Sequence, residues 1–188
     1  RGAPGSDAIS GYVTLSPGEG LVTIDSQNPT LDFPSVFMQP LAFDALYGSL
    51  AIDWDTERVR IDSGVLTTQG EEGTARVLLG LEIPTSPLKA GIEMDLLVGL
   101  QDAHPTQRVK YTPYVLNAGL LQWLRDSIGD GVIEQGAFLW RGSLNKDAPQ
   151  LRTVQLAFNV ADMDLTYHSL WPPVTVQEGV ILIDNTDV

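Results

Sequence analysis

The chain has 188 residues, enough for the core of one domain but few for two, and its 11 Lys and Arg against 24 Asp and Glu give a net charge of −13. That charge repels phosphate backbones, which excludes nucleic acid as a partner. No cysteine is present, so disulfides and thiolate metal sites are excluded. No apolar run reaches the roughly 18 to 20 residues that a membrane-spanning helix needs.

The balance of residue types adds one expectation about the surface. Hydrophobic residues make up 43% of the chain and charged residues only 19%, which is too apolar for a disordered region and charge-poor for an ordinary globular surface. We therefore expect part of the apolar surface to face something other than water. Because the chain starts at Arg1 rather than Met, we also expect it to be one segment of a longer protein.

Residues 11–25 and 46–101 are predicted to form short antiparallel strands, because turn-forming clusters at 16–20 and 70–73 interrupt them. Leu46, Leu50, Ile52 and Trp54 recur at even positions, as expected for one face of a strand. On the next strand Val59, Ile61 and Val65 are predicted to share that face, with Arg58, Arg60 and Asp62 opposite. The alternation is clearest in two stretches, formed by Ala75, Val77, Leu79, Leu81 and Ile83, and by Ile92, Met94, Leu96, Val98 and Leu100.

Residues 112–128 are predicted to form the main helix, because apolar residues recur there at intervals of three to four. Thr112 is a suitable N-cap, Pro113 suits the first helical position, and Gly129 is expected to adopt the left-handed conformation that ends the helix. The apolar positions are Leu116, Leu120, Trp123, Leu124 and Ile128.

After the helix, Val154, Leu156, Phe158 and Val160 alternate, but Met163 and the next apolar residues, Leu165 and Tyr167, fall on the opposite parity. This change of phase predicts a bulge or bend near Ala161 and Asp162.

Residues able to support catalysis are scattered along the sequence. His104 and His168 lie in different segments without a nucleophile motif or a second histidine at metal-ligand spacing, so structural roles are expected for both. Asp53 and Asp55 flank Trp54, which leaves open a calcium site, yet the sequence shows no acidic cluster around them. We predict no catalytic residue, no metal site and no cofactor. The four tryptophans, Trp54, Trp123, Trp140 and Trp171, are expected to anchor packing.

Three ordered clusters resemble passages of the AsmA-like superfamily, and most closely its YhdP-type members. The first comprises residues 31–41 and 46–54, the second Tyr111-Thr112-Pro113, Trp123-Leu124, Gly131 and residues 140–144, and the third Leu165-Thr166-Tyr167, Trp171-Pro172-Pro173 and residues 179–184. The resemblance implies a mainly β fold, in which a long, curved, taco-like antiparallel sheet forms an apolar groove and carries one main amphipathic helix. It further implies that residues 1–188 are a single periplasmic segment of an inner-membrane-anchored protein.

For function, the resemblance implies bridge-like transport of phospholipid between the inner and outer membranes, without enzymatic activity. The expected partners are phospholipid acyl chains and adjacent β segments of the parent protein, with self-association of edge strands also possible. The residues expected to line the groove are Leu50, Ile52, Val77, Leu79, Leu81, Ile92, Met94, Leu96, Val98, Leu156 and Phe158.

Two other functional classes fit the residues themselves. The alternation shows which side chains avoid water, but it does not distinguish an open groove from the closed core of a β-sandwich. A sandwich that binds carbohydrate or calcium therefore remains an alternative, as does a structural scaffold for envelope assembly.

Overall fold

The computed structural model describes residues 5–34, 37–70, 73–86, 91–103, 118–144, 152–166, 168 and 170–184. These residues form thirteen strands and one helix, α1 (Ala118–Ser127). The strands are β1 (Gly5–Asp7), β2 (Gly11–Ser16), β3 (Glu19–Gln27), β4 (Thr30–Asp32), β5 (Leu41–Ala42), β6 (Ala45–Trp54), β7 (Arg58–Ser63), β8 (Leu66–Gly70), β9 (Gly73–Pro84), β10 (Glu93–Ala103), β11 (Val132–Ser143), β12 (Arg152–Leu165) and β13 (Val174–Asp184). The predicted fold class, mainly antiparallel β with one helix, is confirmed.

Ten strands form one antiparallel meander in the order β13-β12-β11-β10-β9-β7-β6-β3-β2, and β8 continues the position of β7 between β6 and β9. The ten strands thus occupy nine positions. At about 4.8 Å per neighbour, the outer strands lie roughly 38 Å apart along the sheet. The remaining strands form a small separate sheet in the order β1-β4-β5.

The break between β7 and β8 moves the apolar pattern by one residue. Ile52 pairs with Ile61 before the break, and Leu46 pairs with Thr68 after it, so one extra residue has been inserted. Leu66 consequently lies on the face predicted for Val65, where it pairs with Val77. Val65 itself is 55% exposed. The prediction for Val65 was wrong because a one-residue bulge reverses the side on which each later side chain lies.

Gly48 of β6 is required at this bulge. Its φ is +147°, and a Cβ built there would lie 2.8 Å from the carbonyl oxygen of Val65. A larger residue would therefore push the bulge away from β6.

The helix ends one residue before the predicted end, at Ser127, and Ile128 instead forms an isolated bridge with Leu165. The predicted N-cap and first turn lie outside the described residues. Gly129 was expected to have a positive φ, and this was wrong, since the positive φ of this segment belongs to Gly131, at +149°. Gly129 instead packs closely on β12, where its N–H donates to the backbone carbonyl oxygen of Asp164 at 2.7 Å.

The predicted change of phase in β12 is confirmed. Asp162 has a φ of +48°, and the buried side chains change parity around it, from Val160 to Met163. The pairing with β13 continues in the same register on both sides. No helix in the described residues has both the length and the apolar composition to cross a bilayer.

Candidate functional site: an aliphatic sheet face

The cross-strand register of the ten-stranded sheet brings the apolar residues of its strands onto one side, which we call the aliphatic face. Directly paired residues build it as rows that cross the strands. One row contains Gly20, Ile52, Ile61, Leu81, Met94, Gly142 and Arg152, and another contains Leu66, Val77, Val98, Phe138, Leu156 and Ile183. The face therefore extends across the whole sheet.

Burial divides this face into two regions. On β11 to β13, Trp140, Leu156 and Ile183 are 3%, 8% and 2% exposed, and they form one core with Leu124 and Ile128 at the helix. Five members on β6, β7 and β9 are instead only partly buried and lie outside that core, namely Leu50, Ile52, Ile61, Leu79 and Leu81. The helix side thus has a conventional hydrophobic core, while the middle of the face keeps contact with solvent.

The two long edges of the face differ. Along the first, which we call the covered edge, the chain leaves the sheet after β3 to build β4 and β5 and again after β10 to build α1. Buried side chains mark this edge, with Ser26, Leu46 and Thr68 at 1%, 4% and 7% exposure. Ser26 Oγ accepts the Ser10 N–H at 2.8 Å and donates to the Ser10 carbonyl at 3.1 Å.

The opposite long edge, which we call the hairpin edge, is where β2 turns into β3 and β6 turns into β7. Trp54 lies at this edge and is 39% exposed. Asp55 closes the β6–β7 turn, because its Oδ1 accepts the N–H groups of Glu57 at 2.6 Å and Arg58 at 2.9 Å. The described part of this edge has two tight turns and carries no helix.

The residues predicted to line a groove fall on the aliphatic face, with one difference in position. Ile92 lies one residue before β10 and is 38% exposed, and its carbonyl accepts the N–H of Leu144 at 2.8 Å. The others lie within strands β6, β9, β10 and β12, namely Leu50, Ile52, Val77, Leu79, Leu81, Met94, Leu96, Val98, Leu156 and Phe158.

The structure adds members of the face that the sequence analysis left out. Val22 and Ile24 of β3 pair with Leu50 and Gly48 of β6, and Phe138 and Trp140 belong to β11. Their alternation was present in the sequence, but Gly136 and Gly142 shorten it on β11, and Leu21 directly precedes Val22 on β3 and blurs the pattern there. β13 contributes Ile181 and Ile183.

The opposite face of the sheet is largely polar and carries exposed ion pairs. Arg58 Nη1 contacts Glu82 Oε2 at 3.1 Å, and Arg141 Nε contacts Asp95 Oδ1 at 3.1 Å. Such exposed pairs stabilise a fold by about 0 to 1 kcal/mol each. Apolar residues also lie on this face, among them Leu78 and Leu97, each 44% exposed.

Arg60 lies beside Asp62 on that polar face, with Nε 2.6 Å from Oδ2. This hydrogen bond, together with the charge of the carboxylate, raises the pKa of the guanidinium above its ordinary value. A cleft on this side is lined by both residues and by Glu82, Asp95 and Arg141, so its walls combine both signs of charge.

The candidate chemical groups are not brought together. Asp53 pairs across the sheet with Arg60, whereas Asp55 serves the turn, and the described residues contain no group of three or more His, Asp or Glu that could hold a metal ion. His168 is exposed, and its Nδ1 accepts the N–H of Leu170 at 3.2 Å, while His104 lies outside the described residues. Trp171 is 58% exposed, so the expectation of a packing anchor is wrong there.

Trp140 has an unusual environment on the aliphatic face. It is 3% exposed, and its buried Nε1 has no hydrogen-bond partner in the described part of the chain. A buried donor without an acceptor costs about 1–3 kcal/mol. The Arg152 guanidinium carbon lies 5.2 Å from the centroid of the Trp140 ring, a cation–π distance.

Comparison with known proteins identifies the family to which the chain belongs. The family model described as YhdP protein matches residues 1–188, which is the whole chain. No curated protein and no solved structure gives a significant match. This match over the full length shows that the chain belongs to the YhdP family.

Proposed function

We propose that this chain is a periplasmic segment of a bridge-like conduit, in which the aliphatic face shields phospholipid acyl chains moving between the inner and outer bacterial membranes. The observation that carries the proposal is the continuous apolar face, whose members on β6, β7 and β9 remain partly exposed beside a separate buried core. Membership of the YhdP family supports an envelope role. The segment has no catalytic part in this proposal.

The energetics favour such a surface. Each methylene removed from water contributes about 0.8 kcal/mol, so an acyl chain of roughly sixteen carbons costs on the order of 12 kcal/mol to hold in water. A face that crosses nine strand positions, or roughly 38 Å, offsets that cost along a continuous path. The headgroup can stay in solvent throughout.

The residue types also suit movement along the sheet. Leu79, Leu81 and Leu96 make dispersion contacts, which depend little on direction. A chain lying across them therefore has many positions of nearly equal energy and low barriers between them. A site with many hydrogen-bonding groups would hold the chain in one place.

The outer strands are where we expect contacts with adjacent β segments. All six residues of β2 are exposed, and β2 pairs only with β3 among the described strands. On β13, Val180 and Leu182 are each 64% exposed. Unpaired strand edges readily accept another strand, so we place the neighbouring segments of the parent protein at β2 and β13.

The test uses photo-crosslinking from two neighbouring positions of β9. Benzoylphenylalanine replaces Leu79 on the aliphatic face or Leu78 on the opposite face, and the purified chain is illuminated with phosphatidylglycerol that carries labelled acyl chains. We expect lipid adducts at Leu79 and few at Leu78, because consecutive strand residues face opposite sides.

Two outcomes count against the proposal. Equal labelling at both positions indicates nonspecific adsorption, and an absence of labelling at Leu79 indicates a closed face. If lipid is absent and calorimetry shows saturable heat with glycans or Ca²⁺, the carbohydrate- or calcium-binding alternative is favoured instead. A scaffold predicts that Leu79→Asp leaves the function of the parent protein intact.

A further inference from the structure

Among the described residues of the two rows named above for the aliphatic face, Arg152 is the only charged one. It begins β12 at the hairpin edge and pairs with Gly142, which in turn pairs with Met94. Its neighbours along these rows are apolar or lack a side chain, and no carboxylate forms an ion pair with it in the described part of the chain. A cation on an apolar surface with no counter-ion among the described side chains is unusual, because burial of charge is normally compensated by pairing.

The indole ring of Trp140 lies beside this cation. The centroid of the ring is 5.2 Å from the guanidinium carbon, and the buried ring Nε1 has no acceptor among the described residues. The guanidinium N–H groups, and not the buried indole N–H, are therefore the donors that an oxygen ligand can reach. Gly142, opposite Arg152, contributes no side chain that would fill the space between strands.

The chemistry of these donors indicates what they bind. A guanidinium presents its N–H groups in a planar fork that matches two oxygens of a phosphate group. Because the chain has a net charge of −13, its overall field repels anions, and an anion requires a local cation to bind. Arg58, Arg60 and Arg141 of the polar face pair with carboxylates, and Arg76 lies on the side of the sheet away from the aliphatic face.

We propose that Arg152, which packs against the Trp140 ring, holds the phosphate of a glycerophospholipid at the hairpin edge while the acyl chains lie along the aliphatic face. This inference rests on the proposed function and adds an orientation to it. The helix and the small sheet lie at the opposite, covered edge, so within the described ranges the hairpin edge is the side on which a headgroup can remain in water. In this arrangement the phosphate lies at Arg152, and the acyl chains extend across the face towards Leu96 and Leu79.

The experiment compares three ligands on the wild-type chain and on Arg152→Gln. The ligands are dihexanoyl phosphatidylglycerol, dihexanoylglycerol, which lacks the phosphate, and inorganic phosphate, each titrated by calorimetry. Arg141→Gln is the matched control, because it removes a neighbouring arginine from the polar face. Arg152→Lys retains the charge but loses the planar fork.

We expect Arg152→Gln to weaken phosphatidylglycerol binding by roughly tenfold or more, which corresponds to the loss of a charge-assisted hydrogen bond. Dihexanoylglycerol binding should stay unchanged, Arg152→Lys should have an intermediate affinity, and Arg141→Gln should match the wild type. Inorganic phosphate should bind much more weakly than phosphatidylglycerol.

Each other outcome overturns a defined part of the reasoning. If Arg152→Gln binds both lipids as the wild type does, the phosphate site is refuted while the proposed conduit stands. Equal weakening of both lipids means that Arg152 acts only by packing on Trp140, which also refutes the site. If inorganic phosphate binds as tightly as phosphatidylglycerol, the site serves free phosphate, and if the wild type binds neither lipid, the proposed function fails as well.

Discussion

Truncation of Leu79 tests whether the middle of the aliphatic face is uncovered in solution. Leu79→Ala and Leu156→Ala delete the same three carbon atoms from the same face of one sheet, on β9 and β12. The two sites differ in their surroundings. Leu156 is 8% exposed within the buried core, whereas Leu79 is partly exposed and lies outside that core.

The expected losses follow from this difference. At about 0.8 kcal/mol per buried carbon, three carbons contribute roughly 2.4 kcal/mol when fully buried. At Leu156 the enclosed cavity adds to that value, which brings the loss to about 3–4 kcal/mol. At Leu79 incomplete burial lowers the transfer contribution to about 1.5 kcal/mol, and no enclosed cavity remains. The two variants should therefore differ by about 2 kcal/mol.

Urea unfolding followed by circular dichroism measures both losses as changes in the free energy of unfolding, provided that the m values agree. Equal losses at Leu79 and Leu156 would refute the reasoning. They would mean that a layer encloses Leu79 as tightly as the helix side encloses Leu156, as in a sealed sandwich or a face-to-face dimer.

The same titration checks three further predictions. Gly131→Ala should lower the free energy of unfolding by more than about 2 kcal/mol, because φ is +149° and the new Cβ would lie 2.7 Å from the backbone of β12. Gly99→Ala is the control and should be neutral or stabilising, because its Cβ would lie 3.9 Å from the nearest atom. A larger loss for Gly99→Ala than for Gly131→Ala would contradict this reasoning. Asp55→Ala should lower the free energy of unfolding by about 1 kcal/mol, because it removes the hydrogen bonds that close the β6–β7 turn. Asp53→Ala should lower it by less than about 0.5 kcal/mol, and equal losses would argue against a special role of Asp55 in the turn. Ser26→Ala should cost about 1–2 kcal/mol, since it removes two buried hydrogen bonds, and a neutral result would show that solvent replaces them.

Local features of the sequence were enough to predict the strand-rich fold and much of the candidate face. Alternation with a period of two follows from strand geometry itself, so Leu79 and Leu96 were assigned to one face without knowledge of their neighbours. The change of phase at Asp162 was visible for the same reason. The resemblance to YhdP-type proteins rested on short ordered clusters and agrees with the family match over residues 1–188.

Hydrogen-bond pairing between strands decided what the sequence left open. The bulge that moves Leu66 into the place predicted for Val65 depends on the register of β7 and β8 against β6 and β9, which no single strand specifies. Trp140 was missed as part of the face because glycines interrupt its alternation, and its neighbour Arg152 comes from the next strand. Periodicity identifies the side chains that avoid water, but only the tertiary structure shows which are enclosed by α1 and which remain partly exposed, because enclosure depends on contacts between residues far apart in the chain.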